Sequence, residues 1–353
     1  MALRELKRAA AVGFVLAGAG VVCTGAVAFL AVGKCRKKST SLHGKTVLIT
    51  GASRGLGLAM AEEFGKAGAR LVLVARDMAA LERARWLLLR RRAADGPEDI
   101  LLLSGDLREP EDAERLIQQA TDHFGAIDVL VNNAGVITVG PVENQTIQDF
   151  RDVMDSNFFS GVHCALAVLP QMLARGRGSI VNITSIGGKI AVPHMLPYTA
   201  SKFAAVGFSE GLNAELRSRG VRVTTVCPGL MRTGSHLNAV FTGDAEREYR
   251  WFSVVAGLPG VSTSARSAAR KIVRATIAGK SEIAITPQAM LAARLGNLSP
   301  TATMRAMQLV KAALPSAVPG PAENFRGAEV RGREVKRAVF LAHAAARRYN
   351  QSE

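Results

Sequence analysis

The chain has 353 residues and a formal net charge of +16, room for one large α/β domain with appendages. That positive balance asks for an anionic neighbour, and with aromatics at 5% and no nucleic-acid motif, a membrane surface fits better than nucleic acid. Cys23, Cys35, Cys164 and Cys227 show no metal-ligand spacing, which speaks against a metal centre and a disulfide framework and suits a reducing compartment. In chain order, Ala9 to Gly33 carries no charge and is long enough to cross a bilayer as a helix. Arg4, Lys7 and Arg8 precede it, and Lys34, Arg36, Lys37 and Lys38 follow. A cleaved signal peptide ending near Ala26-Val27-Ala28 is the rival. The length of the run and the basic residues directly behind it favour a single-pass anchor. Both flanks are basic, so the orientation is weakly set; the Lys34–Lys38 cluster favours a cytoplasmic catalytic side.

Thr46-Val47-Leu48-Ile49-Thr50 reads as a buried strand, and Gly51-Ala52-Ser53-Arg54-Gly55-Leu56-Gly57 follows at once, opening an apolar-periodic helix. Strand, glycine turn and helix in that order are the context of a dinucleotide site. The glycines admit the pyrophosphate to the backbone, and the helix N-terminus supplies amides for it. A second strand, Leu71 to Ala75, ends at Arg76 where an NAD-preferring site usually carries an acid. Arg76, with Arg54, offers guanidinium groups for a 2′-phosphate, so NADP(H) is expected over NAD(H), with Asp77 one position late for the acidic role.

Further strands are expected at Ile100–Leu103, Asp128–Val131, Ser179–Thr184, Val221–Val226 and Glu282–Thr286. Helices are expected over Met78–Arg92, Pro110–Phe124 and Phe159–Leu173. Apolar strands alternating with helices imply an α/β fold, a Rossmann-type doubly wound parallel sheet of about seven strands. Tyr198 and Lys202 lie four residues apart, one above the other on a helix, and Ser185 follows the fifth strand. A phenol titrates near pH 10, and an ammionium one turn away is expected to draw it down towards working pH. A serine hydroxyl beside such a phenol suits a carbonyl that is gaining hydride.

Taken in order, Thr50-Gly51-Ala52-Ser53-Arg54-Gly55-Leu56-Gly57, Gly105-Asp106-Leu107, Asn132-Asn133-Ala134-Gly135, Asn157, Ser185, Tyr198-Thr199-Ala200-Ser201-Lys202 and Cys227-Pro228-Gly229 resemble the motif set of a short-chain dehydrogenase/reductase, over roughly residues 44–287. The resemblance implies that Tyr198 is the acid/base, Ser185 the carbonyl-binding hydroxyl and Lys202 the group that holds the nicotinamide ribose. It implies that Asn157 holds a water on the proton path, that Asp106 and Leu107 meet the adenine, and that Asn133, Ala134 and Gly135 line the cofactor cleft. It also implies that Pro228 and Gly229 bind the cofactor and that Thr233 contacts the nicotinamide carboxamide.

Residues 230–260 show poor periodicity but hold Phe241, Trp251, Phe252 and Leu258, which either line a lipophilic substrate pocket or pack the segment down. In the family this stretch is the substrate lid, and Val192, Met195 and Leu196 face it. His194 is expected to be incidental. Beyond Leu291 the family pattern stops; helices are expected near Met304–Val310 and over Val335–Tyr349, with Pro315, Pro319 and Pro321 between them. The basic tail suits a membrane surface, a solvated homo-oligomer contact or partial disorder. The expected organisation is an anchor over 1–40, a catalytic domain over 41–290 and a helical extension over 291–353. The expected activity is NADPH-dependent reduction of a lipophilic ketone, aldehyde or ketoacyl group. The alternatives are an NAD-linked steroid- or retinol-type alcohol dehydrogenase and a non-catalytic cofactor-binding scaffold.

Overall fold

The computed structural model describes residues 42–258, 262–320, 323–330 and 340–351. The expected membrane helix over 9–33, and the first part of the expected last helix, lie outside the described residues.

Seven strands form one parallel sheet: β1 (Thr46–Thr50), β2 (Arg70–Ala75), β3 (Ile100–Ser104), β4 (Val129–Asn132), β5 (Gly178–Ile183), β6 (Val221–Cys227) and β7 (Glu282–Ala284). Their order across the sheet is β7-β6-β5-β4-β1-β2-β3, with every neighbouring pair parallel. Apolar residues fill consecutive positions in these strands because both faces are covered. Val47, Ile49, Leu71, Leu73 and Val131 point into one core, shared with helices α1 (Gly55–Gly65) and α2 (Met78–Arg90). Leu48, Val72, Val74 and Leu130 point into the other, under α3 (Pro110–Phe124), α4 (Ile147–Ala174) and the end of α5 (Leu196–Leu216). The seven expected strands all occur.

The chain reverses its direction of travel across the sheet between β1 and β4, so the loops after them part and leave a crevice at the carboxyl edge. Ligands of doubly wound sheets bind at such a switch point. Two departures from the sequence expectation bear on the site. The helix expected from Phe159 begins at Ile147 and carries a π turn over Asp155–Phe159. It is the one described helix long and apolar enough to cross a membrane, but it packs on the sheet between α3 and α5.

The second departure is a helix, α6 (Ala245–Gly257), inside the segment that looked irregular. Asp244 caps it by accepting from the Arg247 amide at 3.2 Å. Its periodicity was hidden because Glu248 sits on the buried face beside Tyr249 and Phe252. Glu248 is tolerated there because His194 Nδ1 lies 2.8 Å from one carboxylate oxygen and the Trp251 indole donates to the other at 2.6 Å. His194 thus has a packing role, joining the loop before Tyr198 to α6. After α7 (Ala265–Ala278) come α8 (Pro287–Leu298), α9 (Pro300–Ala312) and α10 (Phe340–Arg348), and the pair Phe325–Arg326 adds to Val240–Phe241 of the lid.

Candidate active site

The site grows from the carboxyl ends of six strands, β1 to β6. After β1, Gly51 and Gly55 take left-handed φ values of 61° and 59°, open to glycine at little cost. Gly57 permits the tightest approach, since a Cβ there would lie 2.2 Å from the Gly51 carbonyl oxygen. The turn is locked to the end of β4. Thr50 Oγ1 accepts from the amides of Asn133 at 2.8 Å and Ala134 at 2.9 Å, while Asn133 Nδ2 donates to the Thr50 carbonyl at 2.9 Å. Ser53 and Leu56 are buried in the turn. The loop thus stands rigid over the N-terminus of α1, a cradle for an anionic ligand.

At the end of β2, Arg76 is exposed and makes no ion pair among the described residues, while Arg54 lies across the turn. Asp77 caps α2, accepting from the Ala80 amide at 3.0 Å. Beyond β3, Asp106 is gripped by Arg108 through contacts at 2.9 and 3.0 Å, which holds its carboxyl below the usual carboxylate range. Leu107 is buried next to it, and its carbonyl lies 3.1 Å from His163 Nδ1.

Ser185 leaves β5 in extended conformation and opens a short 3-10 turn, its Oγ accepting from the Gly187 amide at 2.9 Å. Gly188 lets this turn lie flat on α5, since a Cβ there would meet the Lys202 carbonyl oxygen at 2.4 Å. The Ser185 hydroxyl and the edge of the Tyr198 ring each lie 3.4 Å from where a Cβ on Gly187 would stand. Lys202, buried one turn on, has Nζ 5.8 Å from the Tyr198 ring centre and donates to the Ile183 carbonyl at 3.1 Å. Ser185, Tyr198 and Lys202 thus converge at the carboxyl edge of the sheet.

The π turn brings Asn157 to the same place, a common use of such turns. Its Oδ1 accepts from the Val136 amide at 2.7 Å, and its Nδ2 donates to the Val136 carbonyl and to Ser201 Oγ, each at 3.0 Å. A Cβ on Gly135 would stand 2.7 Å from Asn157 Oδ1 and 3.7 Å from Lys202 Nζ, so the approach of Asn157 leaves room here only for a glycine. Ser201, fully buried, donates to the Tyr198 carbonyl at 2.7 Å and so ties Asn157 to the start of α5. Its only sequence signal was its place inside the Tyr-to-Lys motif. On the far side, the Pro228 carbonyl accepts from the Ile186 amide at 2.8 Å, Gly229 packs against Thr286, and Thr233 is buried facing Gly55.

The electrostatics correct one expectation. Burial pushes the Tyr198 phenol above its usual value, opposed by the Ser185 hydrogen bond, and the lysine does not overturn that balance. Burial of Lys202 costs the ammonium more, pushing it down to about 8. At neutral pH the site therefore holds a protonated phenol above a charged lysine, arranged to give up a proton. Among the described residues no acidic, histidine and cysteine cluster suited to a metal ion occurs.

A doubly wound sheet, a glycine cradle at its switch point and a hydroxyl, phenol and ammonium in register define a dinucleotide-dependent oxidoreductase of carbonyls and alcohols. Residues 45–240 match the family model described as short chain dehydrogenase. The chain is 36% identical over 269 residues to the "Dehydrogenase/reductase SDR family protein 7-like" of Anopheles gambiae, covering 76% of this chain and 83% of that one. It is 32% identical over 273 residues to the "Ketoacyl reductase HetN" of Nostoc sp., covering 75% and 89% respectively. The structure of L-sorbose reductase from Gluconobacter frateurii, complexed with NADPH and L-sorbose, superposes with a TM-score of 0.61 at 26% identity over 70% of this chain and 96% of that one. The chain belongs to the short-chain dehydrogenase/reductase family and is an oxidoreductase of the NAD(P)(H)-using type.

Proposed function

We propose that the protein is a membrane-anchored, NADP(H)-dependent reductase that converts a lipophilic ketone, aldehyde or ketoacyl group to the alcohol. The convergence of Ser185, Tyr198 and Lys202 at the sheet edge carries the chemistry. Bound NADPH supplies the hydride. Ser185 holds the carbonyl oxygen, and Tyr198 donates the phenolic proton to it as negative charge develops there. Lys202 stabilises the phenolate left behind and holds the nicotinamide ribose. Asn157 orders the path by which a proton returns.

Gly51, Ser53, Gly55, Leu56 and Gly57 cradle the pyrophosphate; Asp106 and Leu107 border the adenine; Asn133, Ala134 and Gly135 line the cleft; Pro228, Gly229 and Thr233 border the nicotinamide. The preference for NADP(H) rests on Arg76, exposed at the end of β2, with Arg54 nearby and the neighbouring acid Asp77 occupied as a helix cap. A charged pairing with phosphate contributes about 1.5–3 kcal/mol, roughly ten- to a hundred-fold in affinity. Arg76→Ala is expected to weaken NADPH binding by that factor and leave NADH binding unchanged. Titration of both cofactors checks it, and equal weakening of the two would remove Arg76 from the phosphate.

An apolar substrate is supported by the lid cluster of Phe241, Tyr249, Phe252 and Met195, against which Val192 and Tyr198 pack. The uncharged run Ala9–Gly33 supports the anchor, with the catalytic domain over 41–290 facing the cytoplasm. The native chain is expected to stay with membranes through an alkaline wash, while a chain starting at Ser41 is expected in the soluble fraction with its activity intact. A mature protein that begins near residue 29 would show a cleaved signal instead.

A further inference from the structure

The last described residues run across the glycine cradle. Helix α10 packs on α6 and on the strand Met231–Arg232, and Gly234 lies so close that a Cβ there would meet Ala346 Cα at 2.5 Å. Arg91 donates to the Arg348 carbonyl at 2.6 Å, with its guanidinium 5.9 Å from the Tyr349 ring centre, and the Tyr349 side chain is buried in the core above α1. Asn350 then takes a left-handed φ of 55°, which ends the helix and turns the chain over the loop.

Several groups assigned above to the cofactor's phosphates are engaged there. The Gly55 amide, at the start of α1, donates to the Tyr349 carbonyl at 2.8 Å. Asn350 Nδ2 donates to the Ser53 carbonyl at 2.8 Å and the Ala80 carbonyl at 3.2 Å. The Gln351 side-chain nitrogen stands 2.4 Å from the position of a Cβ on Gly55, and Thr233 Cβ is 4.0 Å from that same point. Gln351 therefore intrudes on the space between the cradle and the nicotinamide side. Arg54 is also tied, donating to Asn238 Oδ1 at 2.8 Å while Asn238 Nδ2 donates to Gln351 Oε1 at 2.5 Å. The Tyr349 carbonyl takes the place of a phosphate oxygen at the helix N-terminus.

We propose that Tyr349–Gln351 form an autoinhibitory strap, seated where the pyrophosphate binds and displaced when the dinucleotide enters. This rests on the cofactor site assigned above. A pyrophosphate and the Gln351 amide cannot share the space over Gly55, so only the fraction of molecules with the strap released is competent, and the apparent affinity falls by that fraction. Arg54 is freed for the 2′-phosphate by the same movement.

The test compares the full chain with its Asn350→Ala/Gln351→Ala variant in NADPH titrations, and follows backbone hydrogen exchange of the unaltered chain with and without NADPH. The variant loses the side-chain hydrogen bonds of the strap and is expected to bind NADPH roughly ten-fold more tightly, with the same turnover at saturating cofactor. In the unaltered chain, saturating NADPH is expected to slow exchange over 51–57 and speed it at the amides of Tyr349 and Gln351. Equal or weaker binding by the variant, or strap amides that gain protection with NADPH, would overturn the proposal and make these residues a wall of the site. Failure of both chains to bind either dinucleotide would sink the cofactor assignment itself, and the strap with it. The exchange measurement needs no altered chain, so misfolding of the variant leaves the test intact.

Discussion

Replacing Tyr198 by phenylalanine is expected to lower carbonyl reduction by about 10²- to 10⁴-fold, the usual contribution of a placed general acid. The ring keeps its packing against the lid cluster, so NADPH affinity should hold and the loss should fall in kcat. At neutral pH the phenol, its pKa raised by burial, keeps its proton on the oxygen. Lys202 sets the alkaline limit. Its ammonium, lowered to about 8 by burial, loses its proton above that pH, and the phenolate formed in the transition state then lacks its counter-charge. The reduction rate should therefore fall as pH rises through that region. Steady-state rates across pH for both chains check the two statements together; a phenylalanine variant within a few-fold of the parent would remove Tyr198 from the acid role.

Lys202→Met is expected to abolish turnover to a similar degree while making the fold more stable. The folded-state value of about 8 lies below the ordinary lysine value of 10.5, so the unfolded chain binds the proton more tightly. The penalty is fully present below pH 8, and stability climbs between about 8 and 10.5, where the folded chain has released its proton and the unfolded chain still holds its own. That gap corresponds to roughly 3 kcal/mol at neutral pH. Methionine removes it but leaves the Ile183 carbonyl without its donor, which costs about 1 kcal/mol. The net gain should be about 2 kcal/mol, and the climb above pH 8 should vanish. Urea denaturation of both chains at neutral and alkaline pH measures it. A methionine variant less stable than the parent would mean that the ammonium is stabilised in the fold. The site, on this account, keeps a destabilising charge because the reaction needs it.

The sheet and the proposed catalytic triplet were legible in the sequence for a local reason. Strands covered on both faces are apolar runs, and the glycine turn, Ser185 and the Tyr198–Lys202 pair each sit within a few residues of a strand end or on one helix face. What was hidden depends on distant partners. Glu248 breaks the apolar face of α6 until His194 and Trp251 are seen to satisfy it. Asn157 was expected in the site, but the π turn that aims it, and the Ser201 bridge beneath it, need α5 in place. The sign of the Tyr198 shift was misjudged because spacing reveals the neighbouring charge and not the burial. The contact of Gly55 with Tyr349 joins residues nearly the length of the chain apart, which no local pattern records.

The central claim is that Tyr198, Ser185 and Lys202 serve a hydride transfer from a bound dinucleotide to a carbonyl carbon. A single-turnover reaction tests it most directly: the full chain, NADPH carrying deuterium at the transferable position of its nicotinamide, and a panel of lipophilic ketones, aldehydes and ketoacyl thioesters. The account predicts an alcohol with the deuterium on its carbinol carbon, formed by the parent chain and lost in Tyr198→Phe. Tight NADPH binding with no deuterium transferred to any member of the panel, by a chain whose strap residues have also been replaced, would contradict it and leave a cofactor-binding scaffold.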